Sequence, residues 1–98
     1  METTETKVFK ISGDIVASQV KDLVAQSKSY LEDTGSAVVM LDISAVEYID
    51  STGISFLIGL YKTAAARNRE MQIRGVKPEI QKLFKLMKLD ELFRIENA

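Results

Sequence analysis

The 98-residue chain predicts an α/β fold, and three features carry that reading. Short β-branched runs alternate with stretches of helical periodicity. The run Ala37-Val38-Val39-Met40-Leu41-Asp42-Ile43 is too short and too β-branched to prefer a helix. Gly13, Gly35, Gly53, Gly75 and the single proline fall where such elements would begin or end. Alternation of this kind argues for right-handed βαβ crossovers and a mostly parallel or mixed sheet of about four strands, with helices packed against it. This length suits one small domain spanning residues 1–98, with a modest but sufficient core.

In order, Lys7-Val8-Phe9-Lys10-Ile11 alternates as a half-buried strand and ends at Ser12-Gly13-Asp14. Val16, Val20, Leu23, Val24, Ser27 and Leu31 recur at helical spacing, with Asp33-Thr34-Gly35 as the stop. Ala37 to Ile43 is then a central strand, read as buried on both faces between helix layers. Ile54, Leu57, Ile58, Tyr61, Ala64 and Ala65 mark a second helix running from Ile54 to Arg67. Met71 to Arg74 forms a third strand, Gly75 turns the chain, and Pro78 opens a third helix carrying Ile80, Leu83, Phe84 and Met87. Leu92 to Ile95 add a short last strand.

Composition narrows the function classes. With 46% apolar and 28% charged residues and little Gly or Pro, the chain reads as folded rather than disordered. No apolar run approaches the ~20 residues of a membrane span, and Met1 to Thr6 do not resemble a secretory signal, so a cytoplasmic location is expected. The absence of cysteine and histidine removes thiol chemistry, the commonest zinc ligand and the commonest general base. No metal, no cofactor and no catalysis are therefore expected. Basic residues dominate between Lys62 and Lys88, where Lys62, Arg67, Arg69, Arg74, Lys77, Lys82, Lys85 and Lys88 meet only Glu70 and Glu79. Lacking interleaved aromatics or a recognition helix, this stretch reads as the solvated side of helices, and no direct binding of nucleic acid is expected.

Asp50-Ser51-Thr52-Gly53 is the most informative segment: it follows the apolar strand and opens a helix, so two hydroxyls stand where backbone N–H groups and the helix dipole favour added negative charge. In a parallel α/β sheet the functional loops gather at the carboxyl ends of the strands. Ser12 to Ser18, Tyr48 to Gly53 and Gly75 to Pro78 should accordingly share one edge, with Ser51 at its centre.

The Ser-Gly-Asp-Ile turn from Ser12 to Ile15, and V-V-M-L-D-I-S-A-V-E-Y-I-D-S-T-G-I-S-F-L from Val38 to Leu57, resemble the STAS domain family, specifically the bacterial anti-sigma-factor antagonists. The resemblance continues through Met71 to Arg74, K-P-E-I-Q-K-L-F and the closing L-D-E-L-F-R-I. In that family the first serine of a D-S-[ST]-G turn is phosphorylated by a partner kinase, and the matching residue is Ser51. Many members carry a turn like G-E-L-D where this chain has Gly13-Asp14-Ile15-Val16, an additional first strand and an additional last helix. The resemblance implies a protein without catalysis of its own, acting in the cytoplasm of a bacterium. Unphosphorylated, it would bind an anti-sigma factor serine kinase and free a sigma factor; phosphorylation would end that binding and a PP2C-type phosphatase would restore it. A monomer is the default and a dimer is allowed.

On this reading Ser51 is the phosphate acceptor, with helix capping as its alternative role. Asp50 either orients the hydroxyl and docks the kinase or is itself the cap, and Thr52 is the nearest competing acceptor. Gly53 permits a close backbone approach, by the partner or by a neighbouring strand. Ile54 and Ser55 begin the helix and reach toward the interface, while Asp14, Ile15 and Ser18 join the contact set because their loop should adjoin Ser51.

Enzymatic readings fail on spacing. The residue inserted between Asp50 and Gly53 breaks the Asp-[Ser/Thr]-Gly of aspartic proteases, and Ser51 has neither a histidine base nor a G-x-S-x-G elbow. The alternative is a non-catalytic STAS scaffold, or a subunit of a signalling or lipid-transport complex.

Overall fold

The computed structural model describes residues 7–33 and 35–96. Strands β1 (Val8–Lys10), β2 (Val38–Asp42), β3 (Glu70–Arg74) and β4 (Arg94–Glu96) alternate with helices α1 (Ala17–Asp33), α2 (Ser51–Ala66) and α3 (Pro78–Leu86), and a 3-10 turn at Leu89–Glu91 precedes β4. The strands pair parallel throughout, in the order β1-β2-β3-β4. This is the α/β architecture the alternating pattern predicts.

Strand order that follows chain order decides where the helices lie. Right-handed crossovers that always step in one direction deliver every helix to the same side of the sheet. The burial pattern agrees: Phe9, Val39, Leu41, Met71 and Ile73 are buried on one face. The facing register Lys10–Asp42–Arg74–Glu96 forms a row of alternating charge across the four strands on the other. Asp42 and Arg74 pair there at 3.5 Å. The expectation that β2 lies between two helix layers is thereby corrected. Val38 and Met40 stand on the face away from the helices, and Met40 is buried there, so the burial expected on both faces of β2 holds without a second helix layer.

Local chemistry accounts for the element ends. Pro78 occupies the first turn of α3, where its missing N–H costs nothing. Past α2, Asn68 takes a left-handed φ of 58°, which asparagine tolerates better than most residues. Its N–H and that of Arg69 close on the Ala65 and Ala64 carbonyls. The Arg69 guanidinium donates to the Leu31 carbonyl in the last turn of α1, satisfying an acceptor the helix cannot. At the same, amino-terminal end of the strands, the Tyr30 hydroxyl donates to the Lys7 carbonyl and accepts from the Met40 N–H, while its ring stacks on Phe9 at 5.5 Å. This pins the last turn of α1 to the chain entering β1 and to β2.

The core lies between the sheet and the helix layer. Leu57, Ile73, Phe84 and Phe93 are almost fully enclosed, and Phe93 meets Tyr61 and Phe84 edge-on at 6.0 and 5.7 Å. Three residues of the predicted helical stripes are exposed: Ala65, and Val24 and Met87 at 48% each.

Candidate functional site

At the carboxyl end of the sheet, two loops are stitched into one platform. The Asp14 carboxylate accepts from the backbone N–H groups of Glu47 and Tyr48 at 3.0 and 3.2 Å. The Ile15 N–H donates to the Tyr48 carbonyl and the Asp50 N–H donates to the Ile15 carbonyl, so Ile15 and Ile49 form a parallel bridge beyond the sheet proper. The third loop joins through Lys77, whose ammonium donates to the Ser44 carbonyl at 2.7 Å and to that of Val46 at 3.4 Å. Gly75 makes that junction possible, because it has a φ of +75° and a Cβ there would stand 2.7 Å from the Ser44 side chain. The three loops therefore share one edge, as the topology argument predicts.

Asp50 organises the centre. It is the N-cap of α2, in extended conformation, and its Oδ1 accepts from the Gly53 N–H at 2.7 Å. Its Oδ2 accepts from the Ala17 N–H at 3.0 Å, and Ala17 is the first residue of α1. One carboxylate thus caps two helices and brings their positive ends together. The N–H groups of Ala17 and Gly53 hold its pKa below the usual carboxylate value. With both oxygens engaged, the capping role open in the sequence is the one the structure fills.

Because Asp50 is the cap, α2 begins at Ser51, three residues before the start expected from its apolar stripe. Ser51 and Thr52 therefore sit in the first turn of the helix, both exposed. Gly53 is buried: a Cβ there would stand 1.9 Å from the Ile15 carbonyl oxygen. The close approach that glycine permits is by the Ile15 segment, and the alternative of an approach by a partner falls away. Ile15 and Ile54, at 0% and 5% exposure, lie beneath the platform. The contact role expected of Ile15, Gly53 and Ile54 is corrected to support from below, because the two isoleucine side chains pack inward and Gly53 is closed off by the Ile15 backbone. Asp14, Ser18, Ser51, Thr52 and Ser55 are exposed, and Asp50 is half-buried between them and the core.

Tyr48, not singled out from the sequence, projects from the same edge at 60% exposure, held in place by Asp14. An aromatic residue two positions before a helix cap is the signal that could have found it. Within the basic stretch, Arg69, Arg74 and Lys77 are committed to Leu31, Asp42 and Ser44, so three of its cations serve the fold.

The match to a protein-family model decides the family: the model of the STAS domain covers residues 1–98. The chain belongs to the STAS domain family. Across 97 residues this STAS chain is 26% identical to the anti-sigma-B factor antagonist of Listeria monocytogenes, an alignment covering 99% of the chain and 83% of the relative. Its fold matches the crystal structure of a putative anti-sigma factor antagonist from Thermotoga maritima with a TM-score of 0.82 at 14% identity, over 93% of this chain and 77% of that one. It also matches the structure of the anti-sigma factor antagonist SpoIIAA in its unphosphorylated form, with a TM-score of 0.70 at 17% identity, over 100% of this chain and 84% of that one. No helix among the described residues is long and apolar enough to cross a membrane.

Proposed function

We propose that this STAS domain is a non-catalytic anti-sigma-factor antagonist, switched by phosphorylation of Ser51. The observation that carries the reading is an exposed hydroxyl on the first residue of α2, beside a carboxylate, Asp50, whose two oxygens are already partnered. A phosphoryl group there adds roughly −1.5 to −2 charges at pH 7. The helix N-terminus tolerates that charge, and nothing beneath has to move, since Gly53 and Ile54 fill the space below. The modification therefore changes what a partner meets while leaving the fold as it was.

The partner on this reading is an anti-sigma factor serine kinase, bound through the exposed rim of Asp14, Ser18, Ser51, Thr52, Ser55 and Tyr48. A phosphate trapped in such a contact without a matching cation costs several kcal/mol in desolvation, and each 1.4 kcal/mol is about tenfold in affinity. One modification thus suffices to release the partner and return it to a sigma factor; a PP2C-type phosphatase resets the domain. The family resemblance of the relatives supports the class of partner, and the geometry supports Ser51 over Thr52 because Ser51 stands at the very start of the helix.

The test is a paired capture with Ser51→Ala and Ser51→Asp baits from the native host's lysate, together with phosphosite mapping of the native protein by mass spectrometry. A serine kinase held by the alanine form and lost from the aspartate form, with phosphate mapped to Ser51, is the expected result. Equal capture by both forms and no phosphate at Ser51 would return that residue to a purely structural role and leave a scaffold.

A further inference from the structure

From Ser55 at the rim of the platform, a groove of about 420 Å³ runs between α1 and α2 toward their carboxyl ends. Its walls are apolar: Val24 and Leu31 on α1 face Phe56 and Leu60 on α2. Two of its three hydroxyls are turned back into their own helices, Ser27 donating to the Val24 carbonyl at 2.9 Å and Thr63 to that of Gly59 at 3.0 Å, and the third, Ser55, stands at its near end. What the groove presents to the outside is therefore more hydrocarbon than its composition implies. Val24 belongs to the predicted core stripe of α1, yet it is 48% exposed here.

Gly59 lies midway along α2 and opens into this groove. Glycine is the least favourable residue but proline in a helix interior. Here it serves no internal purpose: a Cβ at Gly59 would meet no atom within 4 Å, and its φ is not positive. The contrast with Gly53 and Gly75, each forced by a close neighbour, is direct. A missing side chain that the domain does not need keeps space for something the domain does not contain.

The charges along the groove indicate what that is. Its only ionic lining residues are Lys28 and Arg67, both cations. Neither has an ion-pair partner among the described residues. A concave apolar trough about three helical turns long, with unpaired positive charge on each wall, fits an amphipathic helix whose apolar stripe seats over Gly59 and whose flanks carry carboxylates. We infer that the α1–α2 groove is a second docking surface, for an acidic amphipathic helix of a partner protein. It meets the switch edge only at Ser55 and requires no modification of Ser51.

The probe is a synthetic 16-residue amphipathic peptide with leucines at helical spacing and glutamates on its flanks, compared with a twin carrying lysine for every glutamate. Binding is followed by amide chemical shifts of the labelled full chain. The expected result is saturable shifts confined to the groove residues, with the acidic peptide bound at least tenfold more tightly than its cationic twin, and that preference reversed by Lys28→Glu with Arg67→Glu. Gly59→Leu should weaken the acidic peptide at least tenfold. Gly59→Ala keeps the test independent of folding, because it should raise Tm by roughly 4 °C or more while weakening the peptide severalfold. Undiminished binding to Gly59→Leu, no saturation at millimolar peptide, or no preference between the two peptides would overturn the inference. So would the same shifts produced by phosphatidylglycerol vesicles or by raising the protein's own concentration without peptide. Ser51→Asp should bind the acidic peptide as the unmodified chain does, which separates this surface from the switch.

Discussion

Asp50 and Gly53 carry the geometry of the switch edge. The carboxylate accepts from the first turns of both α1 and α2, and the glycine lets the Ile15 backbone close against α2. The N–H groups that hold the Asp50 pKa below 3.8 tie its ionisation to stability. A carboxylate whose pKa is lower in the folded than in the unfolded chain contributes fully above the unfolded value and loses that contribution as pH falls through the folded one. Acid should therefore weaken the protein below about pH 4 partly through this residue. Asp50→Asn, still a good cap but unable to titrate, should flatten the dependence of Tm on pH below about pH 4. An unchanged slope in thermal melts across that window would show that the carboxylate holds no helix end. The residue types at this edge were legible in the sequence, but the division of labour was not. Nothing in the spelling of Asp50 announces a hydrogen bond to Ala17, 33 positions away.

At the level of elements, β4 shows how a short strand is retained. It has only three residues, Arg94–Glu96, one of them half-buried. Its anchor is the residue before it: Phe93 is 1% exposed and meets Tyr61 of α2 and Phe84 of α3 edge-on. Phe93→Ala should cost about 3–5 kcal/mol, read as a lower denaturant midpoint with an unchanged slope. A loss below about 1 kcal/mol would mean that β4 is held by its ladder alone. The helical stripes were read correctly as helices, because their spacing is intrinsic to the chain. Their outer members were misread, since periodicity reports which side is apolar and not what covers it. Val24 and Met87 belong to the stripes and remain exposed.

For the molecule as a whole, sequential strand order places all three helices on one side and leaves a charged sheet face on the other. It also brings every strand's carboxyl end to one edge, where Ser51 stands clear of the core. A charge added there should leave the fold intact. Ser51→Asp is expected to melt within about 0.5 kcal/mol of the unmodified chain, the range of ordinary surface substitutions. Its amide spectrum should change only along the loops that carry Asp14, Tyr48 and Ser51. Unfolding or widespread spectral change would mean that the switch acts by disrupting the domain rather than by altering its surface.

The sequence alone determined what depends on local chemistry. Hydrophobic periodicity, β-branched runs, Pro78 and the cap at Asp50 set the kind and order of the elements, and Asp50-Ser51-Thr52-Gly53 marked the place where charge could be added. Tertiary structure decided what depends on distant segments meeting. It chose one helix layer instead of two, placed Ile15, Gly53 and Ile54 beneath the platform rather than on it, and raised Tyr48 above it. It also opened a groove over Gly59. Burial is a property of pairs of surfaces, and a sequence shows only one member of each pair at a time.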